Sequence, residues 1–139
     1  MPVSISFTVE TDGRLASGES VNEAISAVDI DTGWYPEYFA INCAHPTHLD
    51  AGMWDDDVVR RRLRGFRANA SRRSHADLEN SDTFDEGNPD EFGRQFGDLR
   101  RANPQLTVLG GCCGSDIRHI EAIGRFAVTA GSSVDVGAD

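Results

Sequence analysis

Three cysteines carry the softest chemistry in this 139-residue chain: Cys43, Cys112 and Cys113. Two of them stand in Leu106-Thr-Val-Leu-Gly-Gly-Cys-Cys-Gly114, an apolar run that stops at paired glycines and two adjacent thiols. The third closes Tyr38-Phe-Ala-Ile-Asn-Cys43, another strand-like run. Zinc is the natural occupant of three thiolates, being tetrahedral and borderline soft. Three protein ligands leave a fourth position open, which marks a catalytic rather than a structural site. A sulfur at that position would be deprotonated near neutral pH and become a strong nucleophile. Such chemistry suits transfer of an alkyl group to sulfur. Gly110, Gly111 and Gly114 let the backbone approach a ligand closely. Two other readings stay open. A free cysteine is also a small buried hydrophobe, and a Cys112–Cys113 disulfide would need a strained local geometry.

The elements that would position these thiols follow from periodicity. Val3, Ile5, Phe7 and Val9 alternate with Ser4, Ser6 and Thr8, which predicts a strand with one apolar face. Glu10-Thr-Asp-Gly13 reads as a turn. Ser20-x-x-Glu23 is a capping-box pattern opening a helix to about Val28, followed by a loop over Asp29–Pro36. Tyr38–Asn42 lacks alternation, as expected of a strand covered on both faces. A short charged helix is predicted over Asp55–Arg62 and a third strand over Leu63–Asn69. Ser71–Asn88 reads as a long polar irregular stretch. Pro89 opens a helix whose Phe92, Phe96 and Leu99 share one face. Leu106–Leu109 is the fourth strand. Ser115 or Asp116 caps the last helix, with Ile117, Ile120, Ile123 and Ala127 facing inward, and the tail beyond Ala130 is expected to fray.

Strand and helix thus alternate four times, which predicts an α/β fold of four parallel βα units with right-handed crossovers. Functional groups in such folds lie at the carboxyl ends of strands. All three cysteines are at such ends, so a separation of 69 residues between Cys43 and Cys112 is no obstacle to their meeting. The first and last strands are left as open edges without lysine or internal proline to protect them.

Bulk composition narrows the function classes. The net charge of −10 and pI of about 4.7 argue against a nucleic-acid binder, which needs a basic face. No apolar stretch reaches the length of a membrane span, and the amino terminus lacks the pattern of a signal peptide. The expected location is the cytoplasm, where thiols stay reduced. His45 and His48 are expected to be loop residues touching substrate or water, and His119 to pack or cap the last helix. His75 has no assigned partner. Arg60–Arg64 reads as a solvated face balancing Asp55–Asp57.

Four blocks together resemble the homocysteine S-methyltransferase family: Ile5-Ser-Phe-Thr-Val-Glu-Thr-Asp-Gly-Arg14, Tyr38-Phe-Ala-Ile-Asn-Cys-Ala-His-Pro-Thr-His48, Arg64-Gly-Phe-Arg-Ala-Asn-Ala-Ser71, and Leu109-Gly-Gly-Cys-Cys-Gly-Ser-Asp-Ile-Arg-His-Ile-Glu-Ala-Ile123. The resemblance implies a (β/α)8 barrel of the TIM type, of which this chain matches the carboxyl-terminal half. It implies a zinc site of Cys43, Cys112 and Cys113 at the barrel mouth. Zinc-activated homocysteine would take a methyl group from S-methylmethionine or S-adenosylmethionine to give methionine. Glu10, Asn42 and Asn69 are the residues expected to meet substrate. The implied domain spans residues 1–126, with 127–139 as a flexible tail. Because four strands cannot close a barrel, self-association or a complementary amino-terminal half-barrel is expected. The alternatives are a non-catalytic zinc-binding or assembly module, or an inactive remnant of that family.

Overall fold

The computed structural model describes residues 1–49, 51–80, 82 and 85–128. Its elements are β1 (Ser4–Phe7), α1 (Val21–Thr32), β2 (Tyr38–Ala44), α2 (Asp57–Arg62), β3 (Leu63–Ala68), α3 (His75–Glu79), α4 (Pro89–Ala102), β4 (Val108–Gly111) and α5 (Ile117–Ile123). Short 3₁₀ segments cover Pro46–His48 and Ala51–Asp55, and α5 runs on into a π-helical turn over Gly124–Val128. The strands lie in the order β1-β2-β3-β4, every neighbouring pair parallel. Each crossover carries a helix, as a parallel sheet requires, and β1 and β4 are the sheet edges.

Alternation decides the two faces of the sheet. Phe39, Ile41, Leu63 and Phe66 are fully buried against Val21 and Ile25 of α1, Val59 of α2, Phe92 and Phe96 of α4, and Ile123 of α5. Phe66 stacks on Phe96 with ring centroids 5.3 Å apart, and Phe96 meets Phe92 at 5.0 Å. Each such aromatic side chain contributes on the order of 2–3 kcal/mol through burial. The opposite face holds Ser4, Ser6, Tyr38, Ala40, Asn42, Gly65, Arg67, Val108 and Gly110. Ser4, Ser6, Arg67 and Val108 are exposed there. The expectation that β2 is covered on both faces is therefore corrected: described residues cover one face, and Tyr38, Ala40 and Asn42 are only half-buried.

Helix α1 extends a turn past its expected end near Val28. It stops at Gly33, whose φ of 64° is the left-handed conformation of a helix stop. The loop reading of Asp29 fails because that residue is an inward-facing member of the helix. Its buried carboxylate pairs with Arg62 of α2 at 2.8 Å. Arg62 is accordingly no part of a solvated arginine face, whereas Arg60 does pair with exposed Asp57.

Strand β4 is displaced two residues from its expected span, because Gly110 and Gly111 pair with Arg67 and Ala68 instead of forming a turn. Leu106 packs below the strand, fully buried. The last helix also rotates relative to expectation. Ile117 and Ile120 are 73% and 45% exposed, while His119, Ala122, Ile123 and Ala127 face inward. Gly93 sets that rotation: a Cβ there would lie 2.6 Å from the Ala122 backbone, so α4 and α5 touch main chain to main chain. The stretch 71–88, expected to be irregular, contains α3. The tail expected beyond Ala130 lies outside the described residues. Among the described residues, no helix is long and apolar enough to cross a membrane.

Candidate metal centre

Cys43 sits at the carboxyl end of β2 in a register shift, where β2 advances from Asn42 to Ala44 while β3 advances one residue, from Arg67 to Ala68. Such a bulge re-aims one side chain at the end of a strand. Cys43 adopts a φ of 58°, unusual for a residue with a Cβ. The conformation costs roughly 1–2 kcal/mol. Cys43→Gly and Cys43→Ala both remove the thiol, and glycine alone also removes that strain. The metal-free glycine variant is therefore expected to exceed the alanine variant by about 1 kcal/mol after the extra unfolded-state entropy of glycine is allowed for. Urea titrations compare the two; equal stabilities would show that the bulge is not strained.

The other two thiols stand on a tight turn that follows β4. Cys112 continues the ladder, its N–H donating to Ala68 O at 2.8 Å. Ser115 then closes the turn, its N–H donating to Cys112 O at 3.1 Å and its hydroxyl donating to the same carbonyl at 2.6 Å. Gly114 is the third turn residue and has a φ of 78°, the position where this kind of turn demands glycine. Space demands it too, since a Cβ would lie 2.4 Å from Asp85 O. Cys113 is fixed from the segment that follows β3: its N–H donates to Asn69 Oδ1 at 3.2 Å, and its carbonyl accepts from Ala70 N–H at 3.0 Å.

The two loops meet. Cys43 Sγ and Cys112 Sγ are 2.7 Å apart, and all three sulfurs lie within 4.8 Å of one another. All three cysteines are free. Two thiolates on one tetrahedral zinc stand about 3.8 Å apart, given Zn–S bonds near 2.3 Å. The donor set therefore fits a soft, tetrahedral cation in atom type, and the Cys43–Cys112 pair would open by about 1 Å to hold one. Burial pushes the Cys43 thiol above its ordinary pKa, and the neighbouring Cys112 pushes it further. A relay opposes this: Ser6 Oγ–H donates to Asn42 Oδ1 at 2.6 Å, which leaves the Asn42 amide N–H to donate to Cys43 Sγ at 3.2 Å. A donor aimed at sulfur favours the thiolate. The exposed side of the centre is a cleft of about 390 Å³ lined by Glu86, Cys112, Cys113, Gly114, Ser115 and Asp116.

A protein-family model, Homocysteine S-methyltransferase, matches residues 1–127. The chain belongs to that family. Comparison with curated proteins and with solved structures finds no match.

Within this member of the homocysteine S-methyltransferase family, the other residues singled out from the sequence fall in different places. Asn42 and Asn69 spend their side chains on Cys43 and on the Cys113 backbone. Glu10 follows β1 in a turn, its N–H donating to Arg14 O and its carbonyl accepting from Gly13 N–H. It is not drawn into the thiol cluster. His119 does cap α5, and it does more. Its Nδ1 accepts from Asp116 N–H at 3.0 Å, so Nε2 carries the proton and donates to Glu86 O at 2.7 Å. The fully buried ring thereby holds segment 85–87 against Gly114. Sequence reasoning missed Ser6, Asp85 and this strap. Ser6 was legible only as an outward-facing strand residue, and nothing local links Asp85 to a turn 29 residues later.

The two histidines of the β2 loop brace backbone. His48 Nε2 meets Arg72 O at 2.8 Å, and His45 Nδ1 accepts from Thr47 N–H at 3.2 Å. Burial, aided by Arg72, lowers the His45 pKa from 6.5 to about 4. The unfolded chain therefore binds more protons between those values, and stability falls as pH drops through them. The metal-free chain is expected to lose about 2 kcal/mol from this group between pH 7.5 and pH 5. His45→Asn should flatten that part of the profile in denaturant titrations. An unchanged slope would remove His45 as its source.

Proposed function

We propose that the chain is the zinc-binding, carboxyl-terminal half of a homocysteine S-methyltransferase working in the cytoplasm. The reaction transfers a methyl group from a sulfonium donor, S-methylmethionine or S-adenosylmethionine, to the homocysteine sulfur. The donor carbon–sulfur bond breaks with its electron pair leaving on the donor sulfur. A new carbon–sulfur bond forms on homocysteine to give methionine, and the thiol proton is released. The observation that carries this reading is the convergence of Cys43, Cys112 and Cys113 within 4.8 Å at the carboxyl ends of two strands.

Cys43, Cys112 and Cys113 would hold zinc, which supplies a positive charge that lets a substrate thiol ionise at neutral pH. The chain's own residues aim and tune those ligands. The β2 bulge turns Cys43 toward the β4 turn, Asn42 donates to its sulfur, and Asn69 fixes the Cys113 backbone. Glu10, at the same end of the sheet, is offered to the substrate's ammonium group.

Two open edges and a polar face that no described residue covers support a larger barrel of which these four strands are part. Parallel sheets are normally covered on both faces, and closing the sheet removes both edges. An amino-terminal half-barrel is the proposed complement. The test is methionine formation from homocysteine and S-methylmethionine, first by the zinc-loaded chain alone and then with the amino-terminal half of a full-length family member added as a second polypeptide. Turnover that appears on addition supports the reading. Stable zinc binding with no turnover in either case would replace it with the non-catalytic zinc module.

A further inference from the structure

The large apolar side chains left exposed among the described residues fall in two groups. Met1, Ile30, Trp34 and Tyr35 flank β1 and the end of α1. Val108 lies on β4, and Ile117, Ile120 and Val128 lie on α5 and the turn that continues it. None is on β2, β3, α2 or α4. Scattered exposure of apolar residues is ordinary. Exposure confined to the two edges of a sheet marks an interaction surface.

Each edge supplies what the other lacks. Ile5 and Phe7 of β1 point to the helix side of the sheet but are only partly buried. At the other edge, α5 stands beside β4 with Ile117 and Ile120 turned out of the core. A Cβ on Gly111 would lie 3.7 Å from Ile120 Cδ1, so that side chain reaches the end of β4. α1 packs against α2 and α5 against α4, so the first and last helices have their helix neighbours toward the centre of the sheet. Direction agrees as well. Each helix of a parallel sheet runs back against its strand, which puts Ile117 and Ile120 at the thiol end and Val128 at the far end. A second β1–α1 unit laid parallel to β4 brings the end of β1 toward Ile117 and Ile120. It brings Ile30, Trp34 and Tyr35 toward Val128. Charge agrees too: α1 carries exposed Glu23 and Asp31 and no cation, whereas α5 and its turn carry exposed Arg118 and Arg125 against Glu121.

We propose that, when no amino-terminal half is present, the chain closes both edges on a second copy of itself. β4 and α5 of each copy pack against β1 and α1 of the other, about a two-fold axis. The proposal rests on the reading of the chain as half of a barrel, and it makes the second copy a competitor of the amino-terminal half for the same edges. Four parallel strands are half of a closed eight-stranded barrel, so two copies leave no edge unpaired. Symmetry makes the two seams identical. Eight exposed apolar side chains on each copy, at on the order of 100 Å² apiece, give a dimer roughly the 1,600 Å² of a standard interface. Each copy keeps its own three thiols, and the dimer shields edges that would otherwise invite aggregation.

Sedimentation velocity of the full chain under reducing conditions tests this. A species of twice the 15.1 kDa chain mass is expected. It should tighten with added salt, because each copy carries a net charge of −10. Ile120→Asp should weaken dimerisation by about 100-fold or more, since both seams lose an apolar contact and bury a charge. Ile30→Ser, at the opposite edge, should weaken it by about 10-fold. Arg60→Gln, on α2 between the edges, should leave it unchanged. Circular dichroism checks that the variants fold, as expected for exposed side chains. A dimer indifferent to Ile120→Asp and Ile30→Ser, or weakened as much by Arg60→Gln, sits on another surface and overturns the proposal. Species larger than a dimer would overturn it as well, because the edges would then pair without closing. Adding the amino-terminal half of a full-length family member should replace the dimer by a one-to-one complex. A wild-type monomer that forms that complex sinks the self-pairing and leaves the half-barrel reading standing. A dimer sensitive to Ile120→Asp that the amino-terminal half leaves intact keeps the self-pairing and removes the half-barrel complement.

Discussion

Cys112→Ser should lower the zinc affinity of the chain by more than about 100-fold. Removing a hydrogen-bond partner behind a metal ligand already costs roughly 10- to 100-fold, and this substitution removes a ligand itself. A serine hydroxyl stays protonated at neutral pH and is a harder donor than sulfur, so it does not replace the thiolate. Cys112 also lies directly against a second ligand. Its sulfur is 2.7 Å from that of Cys43, and its backbone is held by Ala68 and Ser115. The pocket should therefore stay in place while one donor is lost, and a fall in affinity reports chemistry and not unfolding. Asn42→Ala gives a graded comparison, because it removes only the amide donor to Cys43 Sγ, and its loss should lie within the 10- to 100-fold range. Competition with a chromogenic chelator measures both. Zinc should also raise the thermal midpoint of the wild-type chain, since a ligand that binds the folded state alone stabilises it, and that rise should vanish in Cys112→Ser. Unchanged affinity would mean that the three thiols are not the site. Metal binding must displace the proton held on Cys43 by burial, so affinity should increase with pH.

The parallel βα order and the ends at which the cysteines lie were legible because they depend on period and punctuation. Alternation in Ser4–Phe7 reports which residues face helices, whereas the unbroken apolar run of Tyr38–Ile41 hides that only Phe39 and Ile41 do so. What escaped was set by partners distant in sequence. Asp29 read as loop because an acid after an apolar stripe ordinarily meets water. Its burial depends on Arg62, 33 residues later. Gly110 and Gly111 read as a turn because glycine weakens strands, yet β3 supplies ladder partners that extend β4 through them. Ile117 and Ile120 were assigned inward on hydrophobicity, and the close Gly93–Ala122 contact turned another face to the core. At the centre itself, the thiols could be named from the sequence, but the bulge that turns Cys43 could not. A register shift is a property of two strands, and one strand's sequence does not contain it.

Asp29→Ala should destabilise the fold by about 3–5 kcal/mol, the cost of leaving one member of a buried ion pair without its partner. The Asp29 carboxylate is 1% exposed and the Arg62 side chain 17%. Arg62 Nε and Nη2 donate to the two carboxylate oxygens at 2.9 and 2.8 Å, a bidentate arrangement. The same guanidinium donates to Pro36 O at 2.7 Å and Glu37 O at 3.2 Å, and lies 5.1 Å from the Phe39 ring centroid. It thus joins the end of α1, the loop entering β2 and the end of α2 around one charge. Removing the carboxylate leaves that charge among carbonyls and an aromatic ring with no anion to balance it. For a chain of this size the loss corresponds to a fall in melting temperature of roughly 10–20 °C. Arg62→Ala should cost a similar amount by stranding the buried carboxylate. The double variant should cost clearly less than the sum, because it removes both charges together. Denaturant titrations of the four proteins close the cycle, and additive losses would show that the two charges do not depend on each other. The effect should reach the metal centre only through β2, whose amino-terminal entry this pair fixes and whose carboxyl end carries Cys43. Zinc affinity of the folded Asp29→Ala chain at low temperature should accordingly match that of the wild type, which separates the residues that hold the sheet from those that hold the metal.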